Sequence, residues 1–132
     1  MARNIVGVIA GLVFWFVIAA VAGMILRAMW PAYVGVAEAM TFTLPMMLAR
    51  LAIGVVDTVA MGFVTARITQ STVARLIPGI VLLLVLIPQH VMLWDKFPVW
   101  YHLWFLLTLV PLTYIGNSLA GSVKASPSTR QA

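Results

Sequence analysis

The chain has 132 residues, of which 64% are hydrophobic and 8% charged. A water-soluble domain carries roughly 25% charged residues, so a solvated globular enzyme or nucleic-acid-binding domain is excluded and the class is integral membrane protein. The formal charge of +5 lies at the ends of apolar segments, and cysteine is absent; the first reads as topology and contact with anionic lipid, the second removes disulfides, thiolate metal sites and cysteine nucleophiles.

Four apolar segments can be drawn, each about 18–22 residues long and so able to cross roughly 30 Å of hydrocarbon at about 1.5 Å per residue. The first helix is expected over residues 5–26, between Arg3 and Arg27. A secretory signal cleaved after Ala20-Val21-Ala22 is the rival reading, but the apolar run continues to Leu26 and reaches span length, which favours retention. Gly7, Gly11, Trp15, Ala19 and Gly23 recur at four-residue spacing along it. Such small-residue ridges let helix backbones approach closely in lipid.

Residues 28–43 form the longest connection, AMWPAYVGVAEAMTFT. A short interfacial helix over residues 32–40 is expected there, with Glu38 facing water and Trp30 and Tyr33 at headgroup level. Thr43 before Leu44-Pro45 is the expected cap of the second helix.

That helix, residues 44–68, reads LPMMLARLAIGVVDTVAMGFVTARI and holds Arg50 and Asp57 within a span. It carries a second ridge, Arg50, Gly54, Thr58, Gly62 and Ala66. Run antiparallel to the first helix, the two ridges are expected to pack face to face, with Trp15 level with Gly54 and Thr58. The third helix is expected over residues 75–94, capped by Ser71 or Thr72 and kinked at Pro88. The fourth, residues 99–121, contains Pro111 and presents His102, Leu106, Leu109, Thr113, Gly116 and Ala120 as its inward stripe, with Asn117 beside it.

The predicted fold is therefore all-α: a four-helix transmembrane bundle, up-down and antiparallel, in a single domain over residues 1–121, followed by a polar cytoplasmic tail over 122–132. Arg3, Arg67, Arg75, Lys124 and Arg130 fall on one side of it, and Arg27 and Lys96 on the other with Glu38 and Asp95. That bias predicts both termini in the cytoplasm of a bacterial inner-membrane protein.

In this orientation polar groups gather toward the outer leaflet. Arg50 and His90 share a depth, with Gln89, His102, Asp95 and Glu38 at or just beyond it. Asp57 is deeper, near the midplane. These residues outline a candidate outward-facing polar pocket that narrows toward Asp57; the plainer reading is a set of hydrated helix ends. An ionisable residue at bilayer depth is costly and marks a functional site by default. Arg50 leans toward its helix N-terminus and away from Asp57, so no direct ion pair is expected, and Trp15 or Thr108 is the expected donor to Asp57. The residue either handles a proton or cation, or makes an interhelical hydrogen bond worth about 1 kcal/mol.

No cofactor is predicted. His90 and His102 invite a haem, but axes about 8–10 Å apart are tight for one. A zinc site drawing on Asp95 or Glu38 lacks the usual helical ligand spacing. Hydrolytic chemistry is excluded, because Ser71, Ser118, Ser122, Ser126 and Ser128 lie at the end opposite both histidines.

The runs WDKFPVWYHLWFLLTLVPLTYIGNSLAG and LPMMLARLAIG resemble those of a family of small uncharacterised bacterial four-helix integral membrane proteins. The resemblance implies an inner-membrane location and carries no activity. In size the chain is similar to small fluoride channels and multidrug exporters, but it lacks the asparagine and TTFST-like signatures of the first and the helix-1 glutamate of the second. The expected function is that of a non-enzymatic polytopic membrane protein, assembling in the lipid bilayer with itself or a larger membrane complex through its ridges. The alternative is a transporter- or channel-like module built on Asp57.

Overall fold

Long apolar runs with no strand-like alternation favour helix, and the computed structural model, which describes residues 1–124, is all-helical over them. Its helices are α1 (Ala2–Met29), α2 (Pro31–Ala37), α3 (Leu44–Ile68), α4 (Ile77–Met92) and α5 (Val99–Lys124), with a 3-10 turn at Trp94–Lys96. Three of them, α1, α3 and α5, are long and apolar enough to cross a membrane. The fourth apolar helix, α4, has 16 residues and a length of about 24 Å.

Several boundaries move from their expected places. Both α1 and α5 run longer than residues 5–26 and 99–121. The third apolar helix contracts from 75–94 to Ile77–Met92. Ser71 caps a turn rather than α4: its hydroxyl accepts the Ala74 N–H at 3.3 Å, and α4 then starts with Pro78 in its first turn. Proline lacks the N–H that a first turn leaves unpaired, so it starts the helix there at no cost. The interfacial helix is α2, begun by Pro31 in the same way and followed by Met40 at φ 55. Thr43 holds the N-cap position of α3 without a side-chain hydrogen bond. Of the tail expected over 122–132, residues 125–132 lie outside the described residues.

α3 is the central element, packed on α1 and α5, with α4 chiefly against α5. At its first two glycines the α1 ridge meets α3: a Cβ at Gly7 would run into Thr69 and one at Gly11 into Thr65, at the same end of α3. Trp15 sits level with Thr58. The α3 ridge, by contrast, does not face α1 throughout. Gly54 lies against the Phe105 ring and Gly62 against the backbone of Thr113, both on α5. The row lies where α1 and α5 both abut α3, so its members meet one neighbour or the other. Gly23 meets nothing within 4 Å. The inward stripe of α5 is buried, with His102 and Thr113 at 0% exposure and Leu109 at 2%.

The end of the molecule opposite Arg50 is tied by the first turn of α1. Asn4 Oδ1 accepts the backbone N–H groups of Gln70 (2.9 Å) and Ser71 (3.3 Å), and Arg3 Nε donates to the Ile68 carbonyl at 2.8 Å. These bonds satisfy backbone groups at and just beyond the end of α3 and fix the antiparallel register of α1 on α3.

Candidate functional site

Arg50 is placed by α3, one side chain among aromatic rings brought in from other segments. Its Nη1 donates to the Tyr33 hydroxyl at 2.6 Å and its Nε to the Tyr101 hydroxyl at 3.3 Å. The guanidinium also lies over Phe42, 4.8 Å from the ring centroid. Tyr33 and Tyr101 are 3% and 4% exposed, so Tyr33 turns inward rather than sitting at headgroup level. A short α2 set beside the end of α3 makes this possible. As expected, Arg50 does not reach Asp57; its partners are neutral oxygens, which leave its charge uncompensated.

Asp57 is 1% exposed. The Thr58 hydroxyl donates to its Oδ1 at 3.4 Å, and Trp15 Nε1 donates to that same hydroxyl at 3.1 Å. A hydroxyl can accept one bond and donate another, so Trp15 orients the Thr58 proton toward the carboxyl instead of bonding Asp57 directly. Thr108 is not a partner either: it donates to the Trp104 and Phe105 carbonyls of its own helix. A threonine on a helix finds a carbonyl one turn back within easy reach.

Arg50 and Asp57 nevertheless share one cavity of about 170 Å³, walled also by Tyr33, Gly54, Tyr101 and Phe105. A second cavity, of about 290 Å³, is lined by Arg50, Gln89, His90, His102, Tyr101 and Phe105 among others. Arg50, Tyr101 and Phe105 thus border both. Of the expected pocket residues, Arg50 and Asp57 meet in the first cavity, and Arg50, Gln89, His90 and His102 in the second. Glu38 and Asp95 line neither, because each lies in a connection beyond the helix ends, where a carboxylate can stay solvated.

The two histidines are a hydrogen-bonded dyad. Their Nδ1 atoms are 2.8 Å apart, and His102 Nε2 is 3.3 Å from the Trp94 carbonyl oxygen. A carbonyl only accepts, so His102 carries its proton on Nε2. Its Nδ1 is then the acceptor, and His90 donates from Nδ1. His90 Nε2 is left as a lone-pair acceptor. The separation leaves no room for a metal between the two Nδ1 atoms, since ligand bonds of about 2 Å each would hold them well over 3 Å apart. Trp94 stacks on His102 with centroids 4.7 Å apart, and Phe105 on His90 at 4.9 Å.

No protein-family model, curated protein or solved structure matches the chain. Sequence reasoning missed Tyr33, Tyr101 and Phe42 as the setting of Arg50. The available signal was Arg50 itself: a cation inside a span needs acceptors, and tyrosines nearby in depth are the natural source.

Proposed function

We propose that the chain crosses the bacterial inner membrane four times as a helical bundle, with both termini in the cytoplasm, and works as a transport module rather than an enzyme. Its kin on this reading are the small four-helix membrane proteins that residues 44–54 and 94–121 resemble. The basic bias, with Arg3, Arg67, Arg75, Lys124 and Arg130 on one side, supports the orientation. The hydrogen-bonded turn over residues 72–76 and the 3-10 turn at Trp94–Lys96 extend the reach of α4 at either end, which supports its being a fourth crossing.

The observation that carries the transport reading is the cavity that Arg50 and Asp57 share without pairing. A buried carboxyl and a half-buried guanidinium with only neutral partners are expensive in an apolar medium. Helix packing needs neither. A cavity between them gives both a use: Arg50 meets an entering solute, and Asp57 takes the proton or cation that moves with it. The experiment is flux into liposomes containing the pure protein. Asp57→Asn is expected to abolish a proton or cation flux that the wild type supports, while melting at the wild-type temperature; no flux from the wild type, or equal flux from the variant, would remove the reading.

A second reading, assembly with another copy or a larger membrane complex, draws on one observation. An apolar groove of about 610 Å³ is lined by Ala22, Ile25, Leu26, Met29, Trp30 and Ile53. Gly7, Gly11, Gly54 and Gly62 are occupied within the chain, so this groove is where a partner helix would lie. Co-purification of a stoichiometric membrane partner in mild detergent, lost on Ala22→Trp, is the supporting result.

A further inference from the structure

We propose that the Arg50–Asp57 cavity takes a small zwitterion of the ω-amino acid class, with a carboxylate at one end, an ammonium at the other and a short aliphatic spacer between. The inference rests on the transport reading and identifies the cation that Asp57 takes as the solute's own ammonium group.

The cavity is polar at its two ends and apolar between them. At one end stand Arg50 and the hydroxyls of Tyr33 and Tyr101; at the other is Asp57. Each tyrosine hydroxyl accepts a bond from Arg50, which leaves its own proton to donate. Arg50 donates to them through Nη1 and Nε. The guanidinium and the two hydroxyls stand together in the lining of this cavity, a donor set that suits a carboxylate.

Asp57 supplies the opposite charge. A simple anion at Arg50 would face the Asp57 carboxyl across the cavity, and a simple cation at Asp57 would face Arg50. In a medium of low dielectric each arrangement leaves a charge uncompensated. A molecule bearing both charges satisfies both ends at once. Its cationic end also passes the Phe105 ring, which attracts an ammonium.

The length follows from the helix. Asp57 is seven positions after Arg50, a backbone rise of about 10.5 Å, and the Arg50 side chain leans toward the helix N-terminus, away from Asp57. With a charge-assisted hydrogen bond of about 2.8 Å at each end, the ligand must therefore span about 5 Å or more. An α-amino acid is too short for that; a chain with at least three carbons between carboxyl and amine is needed. A volume of about 170 Å³ has room for a small solute of this kind. Gly54, between the two ends on α3, keeps the passage open: a Cβ there would lie 3.0 Å from the Phe105 ring.

The test is calorimetric titration of the pure protein in nanodiscs with 4-aminobutyrate, 5-aminopentanoate, glycine, butyrate and butylamine, alongside the liposome flux described above. The two ω-amino acids are expected to bind, with glycine, butyrate and butylamine roughly tenfold weaker or more. Arg50→Gln and Asp57→Asn should each lower the affinity for 4-aminobutyrate by at least that factor. Gly54→Val, which leaves both charged groups in place, should do the same. Butyrate binding as tightly as 4-aminobutyrate, or 4-aminobutyrate binding untouched by Asp57→Asn, overturns the proposal. If Asp57-dependent flux is present and no ω-amino acid binds, the ligand class falls and the transport reading stands. If the ω-amino acids bind and no flux occurs, the ligand class stands and transport falls.

Discussion

His90 and His102 face each other through their Nδ1 atoms at 2.8 Å, with Nε2 of His102 turned to the Trp94 carbonyl. The contact locks the two rings into opposite tautomers and joins α4 to α5 across their short connection. It also makes His102, at 0% exposure, a buried polar group with both nitrogens satisfied, which is the condition for its burial without penalty. Nitrogen-15 spectra of histidine-labelled protein near neutral pH are expected to contain one Nδ1–H and one Nε2–H ring in equal amounts. His102→Gln should collapse that pattern. Two Nε2–H rings would mean that the dyad does not form.

Gly62 and Gly23 belong to ridges of the same kind and have opposite surroundings. A Cβ at Gly62 would run into the Thr113 backbone, whereas Gly23 meets nothing within 4 Å. Backbone cannot swing aside as a flexible side chain can, so Gly62→Ala should destabilise by about 1–3 kcal/mol. Gly23→Ala should stay within about 0.5 kcal/mol of wild type. Thermal unfolding of the two variants in one detergent makes the comparison; equal losses would contradict the close approach of α3 and α5 at Gly62.

Trp15, Thr58 and Asp57 form a directed chain of hydrogen bonds from α1 into α3. Trp15→Phe removes the first donor and frees the Thr58 hydroxyl to turn away from the carboxyl. The cost is expected to be about 1 kcal/mol, the usual size of an interhelical hydrogen bond in a membrane. Thr58→Val removes both bonds and should cost more than Trp15→Phe. A double variant no worse than Thr58→Val alone would show that the two act through the one hydroxyl.

How far the sequence revealed these relationships depends on which coordinate is asked for. Rise along a helix is fixed per residue, so depth was legible: Trp15 level with Thr58, Arg50 level with the histidines, Arg50 out of reach of Asp57. Periodicity likewise exposed the buried stripe of α5. Azimuth was not legible in α3, where one row of small residues lies between two neighbours and serves α1 at Thr58 and α5 at Gly54 and Gly62. The partners of Arg50 were hidden for a related reason. Tyr33 and Tyr101 are 17 and 51 residues from it in the chain, and nothing local to either tyrosine distinguishes an inward ring from a headgroup anchor. Asn4 was also invisible, since its acceptor role exists only once α1 has docked beside the end of α3.

Transport through this fold requires a watery cavity that reaches from the Arg50 end to Asp57 at mid-membrane, and the chain's lack of cysteine allows that cavity to be tested directly. Ala19 lines it, while Val17, two positions away on α1, is 51% exposed on the apolar outer face. A thiol reacts as its thiolate, which forms in water and not in hydrocarbon. A membrane-impermeant thiol reagent added outside sealed cells is therefore predicted to label Ala19→Cys and to leave Val17→Cys unlabelled. An unreactive Ala19→Cys, or equal labelling of the two, would contradict the account.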